Sequence, residues 1–204
     1  MLEALQFKVG KMLNFSYIVW DTDTKEAAVV DPSFETGQVE AAIAARGLKL
    51  RYVLLTHHHY DHVQESGSLS KKTGATIVAH SLSVAQHDIG LEDLQSVKLG
   101  SSEITLMHTP GHTADSSCYL AEGKLFTGDT LFVGECGRVD LEDSDPVQMY
   151  ESLLVRIPSL PDSVTVYPGH DYGKTPQSTV GYEKKNNYTM QKRSREDFLR
   201  FIKS

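Results

Sequence analysis

The feature that most constrains this chain is the run LTHHHYDH at residues 55–62, which holds four histidines and one aspartate within six positions. It follows the apolar stretch YVLL, which predicts a buried strand. Imidazole nitrogens and carboxylate oxygens are the ligands that zinc, iron and manganese favour at catalytic sites. Two adjacent histidines alone would favour a solvated loop, but the density of this cluster favours a metal site.

The spacing within the run predicts which side chains point together. Side chains alternate between the two faces of an extended chain, so His57 and His59 are expected to face the same way and His58 the opposite way. Asp61 and His62 are expected on the turn that follows. The run therefore offers four candidate ligands, with His58 outside the set.

Three further candidates occupy the same kind of position later in the chain. His112 in TPGHTAD, Asp129 in LFTGDT and His170 in YPGHDY each follow a predicted strand and lie beside a glycine. Glycine lets backbone segments approach closely, which a crowded site requires. A lone histidine is more often structural, but together with the opening run these residues make seven candidate ligands. That number is enough for two metals that share a bridging carboxylate.

Length and composition predict an ordinary globular protein. With 204 residues, 40% hydrophobic and 23% charged, the chain is expected to form a single domain over residues 1–204. The net charge of −7 argues against a nucleic-acid surface, because no basic stretch is long enough to neutralise several phosphates. The one basic patch, at residues 192–195, is interpreted as a solvated helix face.

Targeting signals are missing from the sequence pattern. The first residues lack the basic start and long apolar centre of a signal peptide, and no window approaches eighteen apolar residues. Cys118 and Cys136 are the two cysteines, and nothing in the sequence pairs them. We therefore expect a cytoplasmic protein with no membrane contact.

The rest of the pattern predicts sheets with helices on their outer faces. The first forty residues predict an antiparallel meander, and a hairpin is expected to turn at Glu122–Gly123. Ser194 and Asp197 fit a capping box for a terminal helix. Strands are predicted at 6–10, 15–21, 27–31, 50–56, 76–80, 97–100, 101–109 and 165–170, the hairpin at 116–129, and helices at 37–46, 68–74, 146–157 and 194–204.

The order HHHYDH, GHT, TGDT and GHDY over residues 57–172 resembles the metallo-β-lactamase superfamily. The resemblance covers most of the chain, and its motifs are specific. It implies an α/β fold, the four-layer αβ/βα metallo-β-lactamase sandwich, with two mixed sheets, outer helices and a metal site along one edge. It also implies a ligand set: one metal held by His57, His59 and His112, a second by Asp61, His62 and His170, and Asp129 as the bridge.

Such a site is suited to hydrolysis. Two divalent ions, here Zn, Fe or Mn, can lower the pKa of a shared water towards neutrality and supply a hydroxide nucleophile. Asp61 is the expected catalytic residue, because a carboxylate among the ligands can orient that group and handle its proton. Asp31, before Pro32, is interpreted as a strand stop, or alternatively as a buried carboxylate that orients a ligand histidine.

Within the superfamily, LFVGECGRVD at residues 131–140 resembles a CGR segment shared by glyoxalase II (hydroxyacylglutathione hydrolase) and the persulfide dioxygenases. The resemblance implies that Arg138 grips a glutathione carboxylate and that Tyr172 contacts glutathione. The alternatives are a surface ion pair between Arg138 and Asp140, and a packing role for Tyr172. Tyr60 favours the glyoxalase II branch, whereas GRVD, HDY and STVGYEKKNN favour the dioxygenase branch.

The resulting hypothesis is a metal-dependent hydrolase that cleaves a thioester of glutathione or a similar thiol with a metal-bound hydroxide. The alternative is a persulfide dioxygenase with a single Fe(II) on His57, His112 and Asp129. Either activity implies a small-molecule, thiol-derived substrate, and a homo-oligomer is compatible with both. All seven ligands permit two metals without proving them.

Overall fold

The computed structural model describes residues 1–202, and its first half builds one mixed sheet. Strands β1 to β3 form the predicted antiparallel meander, and β4 to β6 then add in parallel. Helices α1 and α3 pack against strands of this sheet. The elements are β1 (Leu2–Val9), β2 (Asn14–Asp21), β3 (Glu26–Val30), α1 (Gly37–Ala45), β4 (Lys49–Leu54), α2 (Tyr60–Val63), α3 (Ser66–Thr73), β5 (Thr76–His80) and β6 (Ile89–Leu91).

The second half builds a second mixed sheet in the order β14-β13-β10-β9-β8-β7. Strand β13 pairs in parallel with β10, and the other neighbours are antiparallel. A short hairpin, β11–β12, stands apart from this sheet. The elements are β7 (Ser96–Leu99), β8 (Ser102–His108), β9 (Ser117–Ala121), β10 (Lys124–Gly128), β11 (Leu131–Phe132), β12 (Glu135–Cys136), α4 (Pro146–Glu151), β13 (Thr165–Pro168), β14 (Ser178–Thr179), α5 (Val180–Asn186) and α6 (Arg195–Phe201).

Three apolar clusters separate four layers. The central cluster joins the facing sheets through buried residues such as Tyr17 and Phe126. A second cluster lies between the first sheet and α1 with α3, and includes Val39 and Leu69. A third lies between the second sheet and the C-terminal helices, and includes Phe198. The αβ/βα sandwich expected from the motifs is confirmed.

Several local predictions are confirmed at residue level. The β9–β10 hairpin turns at Glu122 and Gly123, whose φ angles of 43° and 75° place both in the left-handed region that such tight turns need. The Ser194 hydroxyl accepts a hydrogen bond from the Asp197 backbone N–H at 3.1 Å, which caps α6. Of the helix predicted to Ser204, residues 203–204 lie outside the described part of the chain.

The helix predicted over residues 146–157 is regular only in its first part. After α4 the chain continues as a π-helical turn at Ser152–Arg156 and a 3-10 turn at Ile157–Ser159. Pro158 has no amide hydrogen, so it cannot donate the backbone hydrogen bond that a regular helix needs at this position. The Ser152 hydroxyl also donates to the Pro110 carbonyl at 2.7 Å, which ties this turn to the loop before His112.

The strand ends that carry the candidate ligands come from both sheets. Strand β4 belongs to the first sheet, and β8, β10 and β13 belong to the second. Cys118 and Cys136 are buried free thiols. Among residues 1–202, no helix has the length and apolar character needed to cross a bilayer.

Candidate metal centre

The first group of converging ligand atoms, the first triad, is His57, His59 and His112. The Nδ1 atom of His59 lies 3.1 Å from Nε2 of His57 and 3.0 Å from Nε2 of His112. His57 and His59 leave the end of β4, and His112 lies in the loop after β8. Two strands from different sheets therefore bring three ring nitrogens to one point.

The second triad is Asp61, His62 and His170. The Nε2 atoms of His62 and His170 are 3.2 Å apart, and Oδ2 of Asp61 lies 3.5 Å from each of them. Asp61 and His62 belong to the short helix α2, and His170 follows β13. This arrangement matches the turn placement expected from the sequence.

Asp129 lies between the two triads. Its Oδ1 is 3.3 Å from Nε2 of His62, and its Oδ2 is 3.6 Å from Nε2 of His112 and 3.3 Å from Nε2 of His170. The Oδ1 atom is buried without a hydrogen-bond partner. An unpartnered buried carboxylate oxygen is costly unless a cation or donor meets it. One carboxylate thus faces both triads, as a bridging ligand would.

Four of the five triad histidines have a partner on the ring nitrogen that points away from the site. The Nδ1 atoms of these four rings each lie within hydrogen-bond distance of an oxygen, which holds a proton on Nδ1 and leaves the Nε2 lone pair facing inwards. The contacts are His57 to Thr56 Oγ1 at 3.1 Å, His62 to Asp31 Oδ2 at 3.0 Å, His112 to Arg138 O at 2.9 Å and His170 to Met12 O at 3.0 Å.

The residues present fit a pair of metal ions. Ring nitrogens carrying lone pairs repel one another at 3.0–3.2 Å, so their convergence requires a cation or an added proton between them. Nitrogen and carboxylate oxygen donors of this kind suit zinc, iron or manganese. When bound, the first ion would be held by the first triad, the second by the second triad, and both by Asp129.

Asp31 supports both triads at once. Its Oδ2 accepts hydrogen bonds from the Thr56 hydroxyl at 2.6 Å and from His62, while its Oδ1 accepts one from the Thr56 N–H at 2.8 Å. Because the Thr56 hydroxyl donates to Asp31, its oxygen is free to accept the Nδ1 proton of His57. The geometry agrees with the interpretation of Asp31 as a carboxylate that orients a ligand histidine.

The charge states of Asp129 and His57 also suit metal binding. Burial lowers the pKa of His57 well below its usual value, and the neighbouring His62 adds to that shift. Burial by itself would raise the pKa of Asp129, but the imidazoles of His62 and His170 hold it well below the usual range. Burial likewise opposes the charge on His62, yet Asp129 and Asp31 raise the pKa of that ring. Asp129 is therefore an anion, and His57 is neutral, as a ligand must be.

The glycines beside the ligands allow neighbouring backbone and side-chain atoms to approach closely. A Cβ atom on Gly169 would lie 2.4 Å from Oδ1 of Asp129, and one on Gly128, where φ is 49°, would lie 2.4 Å from Oγ1 of Thr56. Both distances are far shorter than a carbon–oxygen contact permits. These two positions bear out the expectation that glycine is needed for close approach.

Asn14 was missed by the sequence interpretation. This fully buried side chain donates from Nδ2 to Oδ2 of Asp61 at 2.9 Å and to the Asp61 carbonyl at 3.1 Å. Asn14 opens β2, far from any motif, and its backbone forms an isolated bridge with His170. Its role is visible only in the folded structure, because an asparagine beside a hairpin turn is common in sequences.

The two candidate substrate residues occupy different surroundings. The Arg138 guanidinium pairs with Asp140 through two contacts of 2.7 Å, which is the surface ion pair considered as its alternative role. Tyr172 stacks on the His170 ring at 4.7 Å between centroids and leaves 52% of its surface exposed. Arg138 lines an open cleft of about 530 Å³ and Tyr172 another of about 590 Å³, and the two clefts share Glu135.

Known relatives include both hydrolases and dioxygenases. Over 194 residues the chain is 32% identical to a probable polyketide biosynthesis zinc-dependent hydrolase, PksB, of Bacillus subtilis (strain 168), covering 92% of this chain and 86% of the relative. Persulfide dioxygenase ETHE1 of Bos taurus is 35% identical over 181 residues, 87% of this chain and 71% of the relative. A hydroxyacylglutathione hydrolase of Pelagibacter ubique (strain HTCC1062) is 35% identical over 166 residues, 79% of this chain and 68% of the relative.

The fold comparison agrees with the sequence comparison. The crystal structure of ETHE1 from Myxococcus xanthus superposes with a TM-score of 0.93 at 32% identity and covers 99% of this chain and 90% of that one. The family model for the metallo-β-lactamase superfamily matches residues 9–87 and 82–170, a span that includes every residue of both triads and Asp129. This chain belongs to the metallo-β-lactamase superfamily.

Proposed function

We propose that this metal-dependent enzyme is a hydrolase that cleaves a thioester of glutathione or of a similar small thiol, using two divalent metals. The observation that carries the proposal is the completeness of the second triad. The ligand atoms of Asp61, His62 and His170 converge to 3.2–3.5 Å, and Asp129 faces both triads. A hydrolase that uses two metals requires this second set, whereas a single ferrous iron would use only His57, His112 and Asp129.

The relatives support a hydrolase without defining the substrate. The chain shares 32% identity with a zinc-dependent hydrolase and 35% with a hydroxyacylglutathione hydrolase. The second name supplies the substrate class proposed for this chain. A cytoplasmic setting is part of the proposal, since both cysteines are buried thiols and glutathione is abundant under reducing conditions.

Metals held by the two triads would supply Lewis acidity and a water of lowered pKa at the reacting carbonyl. The protein itself holds Asp61 ready for proton transfer. Asn14 fixes Oδ2 of Asp61 at 2.9 Å, and no described residue hydrogen-bonds to its Oδ1. We infer that Oδ1 of Asp61 accepts the proton of the attacking water and delivers it to the leaving thiolate. Asn14 would keep this carboxylate from rotating away.

The thiol part of the substrate is proposed to lie in the cleft beside Tyr172. That ring stacks directly on His170, so the cleft begins at the second triad. Lys174 lines the same cleft and can bind a carboxylate of the thiol. Arg138 in the neighbouring cleft would contact a second carboxylate after releasing Asp140. Two cations at separate places suit glutathione, which carries two carboxylates.

A persulfide dioxygenase is the second candidate. His57, His112 and Asp129 supply two imidazoles and one carboxylate, the set that a single ferrous iron uses while leaving positions for dioxygen and substrate sulfur. The 35% identity to the bovine persulfide dioxygenase favours this candidate over other activities of the superfamily. The two proposals share ligands and differ in metal number and reaction.

Parallel assays on the purified protein separate them. The hydrolase proposal predicts release of free thiol from S-lactoylglutathione after loading with zinc, with no oxygen uptake on glutathione persulfide. The Asp61→Asn variant should bind substrate but lose most turnover, and Asp162→Asn, an exposed aspartate that pairs with Lys184, serves as the matched control. Oxygen uptake on the persulfide by protein that contains about one iron per chain would overturn the hydrolase proposal in favour of the dioxygenase.

A further inference from the structure

We propose that Asp115, His58 and Asp143 form a carboxylate–imidazole–carboxylate bridge that positions the metal ligand His59. We call these three residues the His58 bridge. The inference rests on the proposed metal centre and goes beyond it, because none of the three is a candidate ligand of either triad. It gives a role to His58, the histidine that the opening motif leaves without one.

His59 is the exception among the triad histidines. The other four rings face inwards through Nε2 and hold their Nδ1 atoms on oxygens at 2.9–3.1 Å. His59 faces inwards through Nδ1, and its Nε2 points towards Oδ2 of Asp143 at 3.7 Å. This distance is too long for a direct hydrogen bond but within ion-pair range. Asp143 is thus the group placed to orient this ring.

His58 fixes the position of Asp143. The Nε2 atom of His58 lies 3.1 Å from the same Oδ2 atom of Asp143 that faces His59. On its other side, Nδ1 of His58 lies 2.7 Å from Oδ1 of Asp115. His58 points away from both triads, as the alternation of side chains predicts. The ring therefore spans two carboxylates on the outside of the first triad.

Asp115 anchors the bridge in the protein interior. Only 2% of this residue is exposed, and its Oδ1 also accepts a hydrogen bond from the Thr113 hydroxyl at 2.7 Å. Asp143, in contrast, leaves 38% of its side chain exposed. An exposed aspartate without a partner would sample several rotamers, so its position depends on His58. The buried end of the bridge holds the exposed end.

The segment that carries Asp143 is also tied to the first triad through the backbone. The Asp145 N–H donates to the Gly111 carbonyl at 2.8 Å, one residue before the ligand His112. The bridge and this contact together join three loops: the one after β4, the one after β8 and the one before α4. The carboxylate of Asp143 then favours the His59 tautomer with its proton on Nε2, which leaves the Nδ1 lone pair for the metal.

Asp143 and Asp115 are positioning residues, and the test measures zinc affinity rather than turnover. Two variants, Asp143→Ala and Asp115→Asn, and their double variant would be titrated with zinc against a chromophoric chelator. Loss of an orienting partner typically weakens metal binding about 10–100-fold, so each single variant is expected to weaken one of two zinc sites by about tenfold. The Glu142→Gln variant removes the same charge one position from Asp143 and should leave both affinities unchanged.

The double variant tests whether the two aspartates act through one path. If Asp115 acts only by holding Asp143, the double variant should bind zinc as weakly as Asp143→Ala and no more weakly. Additive losses would show two independent effects and overturn the bridge. Thermal unfolding of the metal-free proteins is the second readout: Asp143→Ala should match the unchanged protein, since a general structural role would lower the melting temperature.

Failure of the bridge and failure of the proposed function give different results. Unchanged zinc affinity in Asp143→Ala, with both sites still filled, overturns the bridge and leaves the hydrolase intact. If Asp143→Ala weakens zinc binding but the unchanged protein does not cleave thioesters, the bridge is supported and the hydrolase proposal is overturned. If Asp115→Asn does not fold because its site is buried, Asp143→Ala with Glu142→Gln still decides the outcome.

Discussion

The two triads differ in how completely the protein encloses them. His62 and His170 of the second triad are buried, and their outward nitrogens meet Asp31 and the Met12 carbonyl directly. Asp61 of the same triad is held by Asn14. In the first triad, His59 keeps 24% of its side chain exposed and meets Asp143 only at 3.7 Å. The second triad, whose metal occupancy the sequence leaves undecided, therefore has the more complete set of hydrogen-bond partners.

This difference supports the proposed use of two metals. Buried polar groups cost free energy unless partners satisfy them, so a chain that no longer used a second metal would gain by replacing them with apolar residues. In this protein the buried ligands His62 and His170 lie beside two further buried polar residues, Asn14 and Asp31, which hydrogen-bond to members of the second triad. The first triad, by contrast, includes one partly exposed ligand, His59.

The largest effect should come from Asp129, which joins the triads. The Asp129→Ala variant removes the carboxylate that faces both triads and that lies 3.3 Å from Nε2 of His62 and of His170. We expect loss of most bound metal and a fall in turnover of roughly a thousandfold or more, beyond the 10–100-fold typical of an orienting partner. Metal analysis of the purified variant, beside Asp162→Ala as control, provides the measurement. Two metals in Asp129→Ala would show that the triads are independent.

Asp31 offers a way to separate the triads. The Asp31→Asn variant tolerates the positive φ of 48° but loses the anion that accepts from His62 and Thr56. We expect the second site to lose about 10–100-fold in zinc affinity and the first site less, because His57 is reached only through Thr56. Stepwise chelator competition measures both affinities. In the companion variant Thr56→Val, the first site should lose more zinc affinity than the second. Equal losses at both sites in both variants would contradict a separate role of Asp31 and Thr56 at the two triads.

Asn14 gives a smaller effect confined to the second triad. The Asn14→Leu variant keeps the branched shape of the side chain but removes the donor that holds Oδ2 of Asp61. We expect about a tenfold loss of zinc affinity at the second site and a fall in kcat rather than a rise in KM. Steady-state kinetics and zinc competition together check this result. A change in KM alone would place Asn14 in substrate binding instead.

Arg138 should give the smallest effect, because its guanidinium lies on the exposed side and already pairs with Asp140. The Arg138→Ala variant is expected to raise KM for a glutathione thioester several-fold while kcat stays within about twofold. Zinc content should not change, since only the backbone carbonyl of Arg138 contacts His112. The Asp140→Ala variant frees the guanidinium and should lower KM or leave it unchanged. Identical kinetics in Arg138→Ala would remove glutathione carboxylate binding from the account.

Much of the centre could be predicted from sequence because its ligands lie in short motifs at strand ends. The alternation of His57, His58 and His59 along an extended segment follows from backbone geometry alone. Local patterns likewise predict α1, the hairpin at Glu122 and the cap at Ser194. These features depend on residues close together in the chain.

The supporting residues could not be predicted, because they are distant in sequence and ordinary in type. Asn14 is 47 positions from Asp61, and Asp115 is 57 positions from His58. Each is a common polar residue in a loop or at a strand start, so only the tertiary fold reveals its partner. The interruption of the helix after Glu151 shows a similar limit, since the amphipathic pattern continues through Ser152 although the regular helix does not.

The most direct test of the second triad is a stepwise zinc titration of metal-free protein, with thioester cleavage followed at every addition. We expect two zinc ions to bind per chain and turnover of S-lactoylglutathione to rise only after the second site begins to fill. In Asn14→Leu the rise should require more zinc, in proportion to the weakened second site. Binding of a single zinc, or full turnover before any second ion binds, would contradict the account.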